Sequence, residues 1–144
     1  MKNWFLAAAT VAALAAPVFA QDATVYDFDG SFDDATFAVE GTIVGRGLVI
    51  DYVSHTGEML ARTGADVGSD VKIFDAADIF LFCSAVLSRK MMEADRGNIA
   101  HCPYSIFVTD VDGTVQIGYR NFPEGPMQEV QQLLDSIVQE AAGL

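Results

Sequence analysis

The stretch CPYSIFVTDVDGTVQIGYRN, residues 102–121, decides between two architectures. Two runs rich in β-branched and aromatic residues flank Asp112-Gly113, a preferred hairpin turn dipeptide. Pro103 has no N–H to give to a ladder and fits only the first residue of a strand. Without this hairpin the chain alternates strand and helix, as a doubly wound parallel sheet would. With it, an α+β sheet with its helices on one face is expected.

Working outward, the segments before the hairpin read in turn as strand, helix, strand, small helix, strand and helix. A first strand lies near Thr24–Phe28 and stops at Gly30-Ser31. Ser31 is placed to cap the next helix, with Asp33 and Asp34 complementing its dipole. Phe32, Ala35, Val39 and Ile43 recur at helical spacing and give it one buried face. Gly45-Arg46-Gly47 ends it. Residues 48–55, LVIDYVSH, form a second strand in which Leu48, Ile50 and Tyr52 alternate with Val49, Asp51 and Val53. A short helix is expected around Glu58–Thr63, closed by Gly64 or Gly68. A third strand is expected near Asp78–Cys83. Ser84 then caps a helix whose Leu87, Met91 and Ala94 share a face, and Arg96-Gly97-Asn98 stops it. After the hairpin comes the longest helix, with an apolar stripe from Met127 and Val130 through Leu134, Ile137 and Val138 to Ala141.

Residues 1–20, MKNWFLAAATVAALAAPVFA, read differently. Lys2 is a short positive start, Trp4 to Ala16 are apolar, and Val18-Phe19-Ala20 ends in a small residue. This pattern is a secretory signal, too short for an anchor. Residues 1–20 are therefore a signal peptide and 21–144 a single domain, with the mature chain starting at Gln21 in the bacterial periplasm and no membrane insertion after cleavage. Removing Lys2 takes the net charge from −12 to −13. So acidic a protein repels nucleic acid and anionic lipid. Its acidic residues are scattered as on a solvated surface. Asp110 and Asp112 are expected to serve the turn they flank.

Phe32 to about Tyr119 resembles a bacterial family known only as domain of unknown function number 302. The helix SFDDATFAVEGTIVGRGLVI leading into a strand carries the resemblance, together with FCSAVLSRKMMEAD, the Cys-Pro that opens CPYSIFV, and IGYR. The resemblance implies a TATA-binding-protein-like α+β fold: a curved, mainly antiparallel sheet with two long helices on one face. It also implies a homodimer. It implies no biochemical activity.

The two cysteines, Cys83 and Cys102, lie either side of an eighteen-residue excursion. If their strands were parallel, the cysteines would sit at opposite sheet ends, roughly 20 Å apart for about six residues. A disulfide needs Cα atoms about 4.4–6.8 Å apart. Antiparallel strands bring the two to one end, where an oxidising compartment favours a disulfide. The other reading is a functional thiol pair. Cys83 adjoins a helix start, where the dipole would lower its pKa. With His101 and Met92 the cysteines could hold copper(I) or a haem iron. Two unrelated buried thiols are a third reading. Ser84, Tyr104 and Arg120 are candidate ligand-binding residues, Arg120 for an anion or for a neighbouring Asp. There is no C-x-x-C, C-x-x-C-H or H-E-x-x-H, and Ser54-His55 forms no recognisable triad. No cofactor is required. A ligand-binding or accessory protein, more than an enzyme, is expected, with thiol redox or metal handling through Cys83 and Cys102 as the alternative.

Overall fold

The computed structural model describes residues 22–144. The expected signal segment, residues 1–20, and the expected mature start at Gln21 lie outside the described residues. Five strands and four helices follow in chain order: β1 (Ala23–Asp27), α1 (Phe32–Gly45), β2 (Val49–Ser54), α2 (Thr56–Thr63), β3 (Ala76–Cys83), α3 (Ala85–Ala94), β4 (Tyr104–Val111), β5 (Thr114–Arg120) and α4 (Gln128–Ala141). The sheet order is β1-β5-β4-β3-β2. Every neighbouring pair is antiparallel. The fold is therefore α+β, and the doubly wound alternative falls.

The hairpin at its centre forms for the expected reason. Asp112 has φ 52° and Gly113 φ 80°, the left-handed pair that a two-residue turn requires. Asp110 accepts the Gly113 N–H at 3.0 Å, and the Asp112 N–H donates to Asp75 Oδ2 at 2.7 Å. Both hairpin aspartates thus serve the turn.

The long helices α1 and α4 cover one face of the sheet. The Ser31 hydroxyl accepts the Asp34 N–H at 3.1 Å, and Asp34 accepts the Ser31 N–H at 3.3 Å, a reciprocal cap that fixes where α1 begins. Its Ala35, Val39 and Ile43 join Val130, Leu134 and Ile137 of α4 in one core. The sheet meets them with residues of one parity, because alternate side chains leave opposite faces. Phe80 pairs with Ile106, Phe82 with Tyr104, and Val108 with Ile117, and all six are buried. Arg46, just past α1, ties the two helices together by donating to the Ser136 hydroxyl and carbonyl and pairing with Glu140.

Three details depart from the sequence reading. Asp51 is an extra residue in β2: Ile50 faces Phe82 but Tyr52 faces Leu81, so the register slips between them. The bulge turns Val53, not Tyr52, toward the core side, and Tyr52 is left 62% exposed. Strand β3 begins at Ala76, before Asp78, because Ala76 and Ala77 still pair with Asp110 and Thr109. On α3 only Met91 is buried, with Leu87 half-buried, while Ala94 faces solvent.

Among the described residues the other sheet face carries no long helix. There the Phe107 ring lies across Gly118, where an added Cβ would come within 2.4 Å of it and 2.8 Å of the Thr24 carbonyl. Glycine is required for that close approach. Val49 and Tyr52 stand exposed on the edge strand β2, and Val25 on the opposite edge strand β1.

Candidate functional site

Because β3 and β4 run antiparallel, the end of one and the approach to the other meet at the same end of the sheet. Between them α3 leaves and a 3-10 turn, Arg96–His101, brings the chain back. Residues 96–98, expected only to stop α3, form the first half of this turn. The return is organised by Asp95, which accepts the Gly97 N–H at 2.7 Å, and by Asn98, which donates to the Met91 carbonyl at 2.9 Å. These local side-chain bonds compete with further helix and fold the chain back.

Cys83 and Cys102 consequently come together, Sγ to Sγ at 3.8 Å, both half-buried and not bonded to each other. A row of polar contacts continues from them. The Cys102 thiol lies 3.6 Å from the Ser88 hydroxyl, which donates to the Tyr104 hydroxyl at 3.1 Å. Tyr104 is itself buried, and burial foremost pushes its phenol up to about 12.

The expected activation of Cys83 by the start of α3 is not what the environment produces. Burial pushes the Cys83 thiol up, and the neighbouring Cys102 adds to this. The Tyr104 backbone N–H works the other way but does not outweigh them. Ser84 meanwhile spends its hydroxyl on the Leu87 N–H at 3.3 Å, capping α3. Ser84 is a structural cap here, and Cys83 rests as a thiol at neutral pH.

A groove of about 900 Å³ opens beside the pair, lined by both cysteines, Ser88, Met92, Arg96 and Ile99 among others. Arg89 also lines it and pairs with Glu93 at 2.8 Å. Arg96 makes no ion pair among the described residues. Met92 thus shares the groove with the cysteines. His101 does not: its ring packs edge-on against Phe122, 5.6 Å between centroids, and its buried Nδ1 has no hydrogen-bond partner among the described residues. Arg120 sits at the far end of β5, opposite Ala23 of the edge strand, and makes no ion pair among the described residues. Tyr104 is linked to the pair through Ser88 and Ser84 follows Cys83 directly, while Arg120 does not line the groove. Ser54 bonds Thr56 at 3.1 Å while His55 meets Asp78 at 2.8 Å, so the two form no serine–histidine dyad. Ser88 was missed by sequence reasoning. Its signal was a serine inside a helix, a residue poorly suited to that position unless its hydroxyl has a partner.

Among the described residues no three His, Cys, Asp or Glu side chains converge on a common point, and no helix is long and apolar enough to cross a membrane. The family described as domain of unknown function DUF302 matches residues 24–142. The crystal structure of an uncharacterized conserved DUF302 protein from Bacillus stearothermophilus is similar, with TM-score 0.60, 18% identity, and coverage of 86% of this chain and 89% of that one. No curated protein matches. At that identity the likeness speaks to the fold.

Proposed function

This chain belongs to the DUF302 family, a domain of unknown function, and we propose that it is an exported ligand-binding or accessory protein whose working element is the Cys83–Cys102 thiol pair. The observation that carries the reading is the 3.8 Å approach of the two sulfurs at the mouth of an open groove. The alternative, thiol–disulfide chemistry, is favoured by the same approach, since closing the pair needs only a small movement to the bonded distance of about 2.05 Å. It is disfavoured by the raised Cys83 thiol, because the thiolate is the nucleophile. Thiol titration of the native exported protein is the test. Two reactive thiols, obtained directly or after mild reduction, are expected. No titratable thiol in native or denatured protein would mean a structural disulfide and end the reading.

The export and homodimer expectations are part of the same proposal. They are supported by the apolar leader, and by two edge strands whose Val25, Val49 and Tyr52 are open to pairing or docking. Native mass spectrometry of a periplasmic extract is expected to give a dimer of chains beginning at Gln21. A monomer at micromolar concentration would count against the dimer, and a chain retaining Met1 against export.

A further inference from the structure

We propose that Cys83 and Cys102 form a binding site for the cuprous ion, with the Met92 thioether as a supplementary donor. The proposal rests on the thiol-pair reading above and names the ligand of that site. Three observations converge on it. The first is the separation of the sulfurs. With the zinc–thiolate length of about 2.3 Å as the scale for a first-row ion, two thiolates sharing one ion at an angle between tetrahedral and trigonal lie about 3.8–4.0 Å apart. The observed 3.8 Å therefore needs no rearrangement to admit an ion, whereas a disulfide needs the sulfurs to close.

The second is the donor set. Structural zinc takes four protein ligands and catalytic zinc three, drawn from Cys, His, Asp and Glu. No such three converge among the described residues. Two thiolates supplemented by a thioether are a soft, low-coordinate set that suits copper(I) and falls short of the ligand sets zinc takes. Met92 lines the same groove as both cysteines. Its side chain is unbranched with three rotatable bonds, so the thioether can turn within that groove.

The third is charge. Binding replaces two thiol protons by one monovalent cation: two Cys–SH and Cu⁺ give a bis-thiolate complex of net charge −1 and release two protons to solvent. Burying that negative unit in a strongly acidic protein is unfavourable unless a cation stands nearby. Arg96 lines the groove and has no acidic partner among the described residues. The Tyr104 backbone N–H faces Cys83, and the Ser88 hydroxyl can turn to donate to Cys102.

The test is an anaerobic titration of the reduced full chain with Cu(I), in competition with a chromogenic Cu(I) chelator. One Cu(I) per chain is expected, with a thiolate-to-copper absorption band. Cys83→Ser and Cys102→Ser should each abolish it. Met92→Leu should weaken affinity about tenfold while leaving the stoichiometry and both reactive thiols in place. His101→Gln, outside the groove, should leave affinity unchanged. Zn(II) offered under the same conditions should not displace the copper. Circular dichroism of each variant separates loss of site from loss of fold. Two reactive thiols that take up no Cu(I) would overturn the copper site and leave the thiol-pair reading standing. Absence of reducible thiols would overturn both. Copper binding that survives in Cys83→Ser would place the metal elsewhere and overturn this site.

Discussion

Phe82→Ala is expected to lower the unfolding free energy by about 3–5 kcal/mol, the range for deleting a fully buried aromatic side chain. Phe82 has no exposed surface. It stands on β3 between Ile50 of β2 and Tyr104 of β4, under the helices. Ile50 and Tyr104 are each paired to the strand that carries Phe82, which limits how far either can collapse into the space. A domain of this size has only about 5–15 kcal/mol in all, so the variant should be marginal. The same ring also holds the site: Phe82 precedes Cys83 and pairs with Tyr104, two residues after Cys102. Phe82→Ala should therefore loosen the cysteine pair as well as the core. Phe82→Leu, which keeps most of the volume, should cost under about 1.5 kcal/mol. Urea unfolding measures both. A loss below about 1 kcal/mol for Phe82→Ala would show that the sheet does collapse around the gap.

How much of this was legible in the sequence depends on whether local signals could act alone. The hairpin was legible because Asp112-Gly113 is local turn chemistry, and the antiparallel pairing of β4 and β5 follows from it directly. The α1 cap was legible for the same reason, with Ser31 and the first-turn aspartates adjacent in sequence. The buried stripe of α4 was legible because a period of 3.6 is a long, redundant signal. The Asp51 bulge was not. Strict alternation through Ile50, Tyr52 and their neighbours gives no sign of the extra residue, because a bulge is set by what β3 offers across the ladder. Ala94 misled for a related reason. Helical spacing places it with Met91, but α3 is short and touches the core chiefly through that one residue.

At the site, proximity was legible and chemistry was not. Two cysteines at the ends of antiparallel strands must meet, and they do at 3.8 Å. The direction of the Cys83 shift depends on burial and on Cys102, which are tertiary facts, and it runs against the helix-dipole expectation. His101 adjoins Cys102 in sequence, yet the 3-10 turn sends its ring to Phe122. Met92, separated from Cys102 by nine residues, lines the groove instead. Adjacency along the chain was a poor guide to which soft donor faces the pair.

Asp135→Ala is expected to cost about 2–4 kcal/mol, although the residue is on the polar side of α4 and no sequence signal marks it. The Tyr26 and Tyr119 hydroxyls both donate to Asp135 Oδ1, at 2.7 and 2.8 Å, and Gln139 donates to Oδ2 at 2.7 Å. One carboxylate thus pins α4 to β1 and β5 together. Removing it leaves two part-buried hydroxyls without their charged acceptor, at about 1–3 kcal/mol for each donor left unsatisfied. Gln139 donates to the Tyr26 oxygen at 3.2 Å and so gives the Tyr26 proton no new acceptor, but Tyr26 is only half-buried and water can accept from it, which keeps the loss in the lower part of the roughly 2–6 kcal/mol that two unsatisfied donors would cost. Asp135→Asn, which retains one acceptor oxygen, should cost about half as much. Alkaline titration separates this network from plain packing. Burial foremost raises Tyr119 to about 12, while the Asp135 hydrogen bond is the main cause that raises Tyr26. Both phenols are thus held neutral in the fold. The stability Tyr119 contributes is complete below its ordinary value near 10 and is lost as pH rises through about 12. In Asp135→Ala the Tyr26 transition should fall toward the ordinary value, and the Tyr119 transition should stay high because its burial remains. Tyrosinate absorbance against pH reads the two transitions. If both moved equally, or neither moved, Asp135 would not be the acceptor that organises this edge of the sheet.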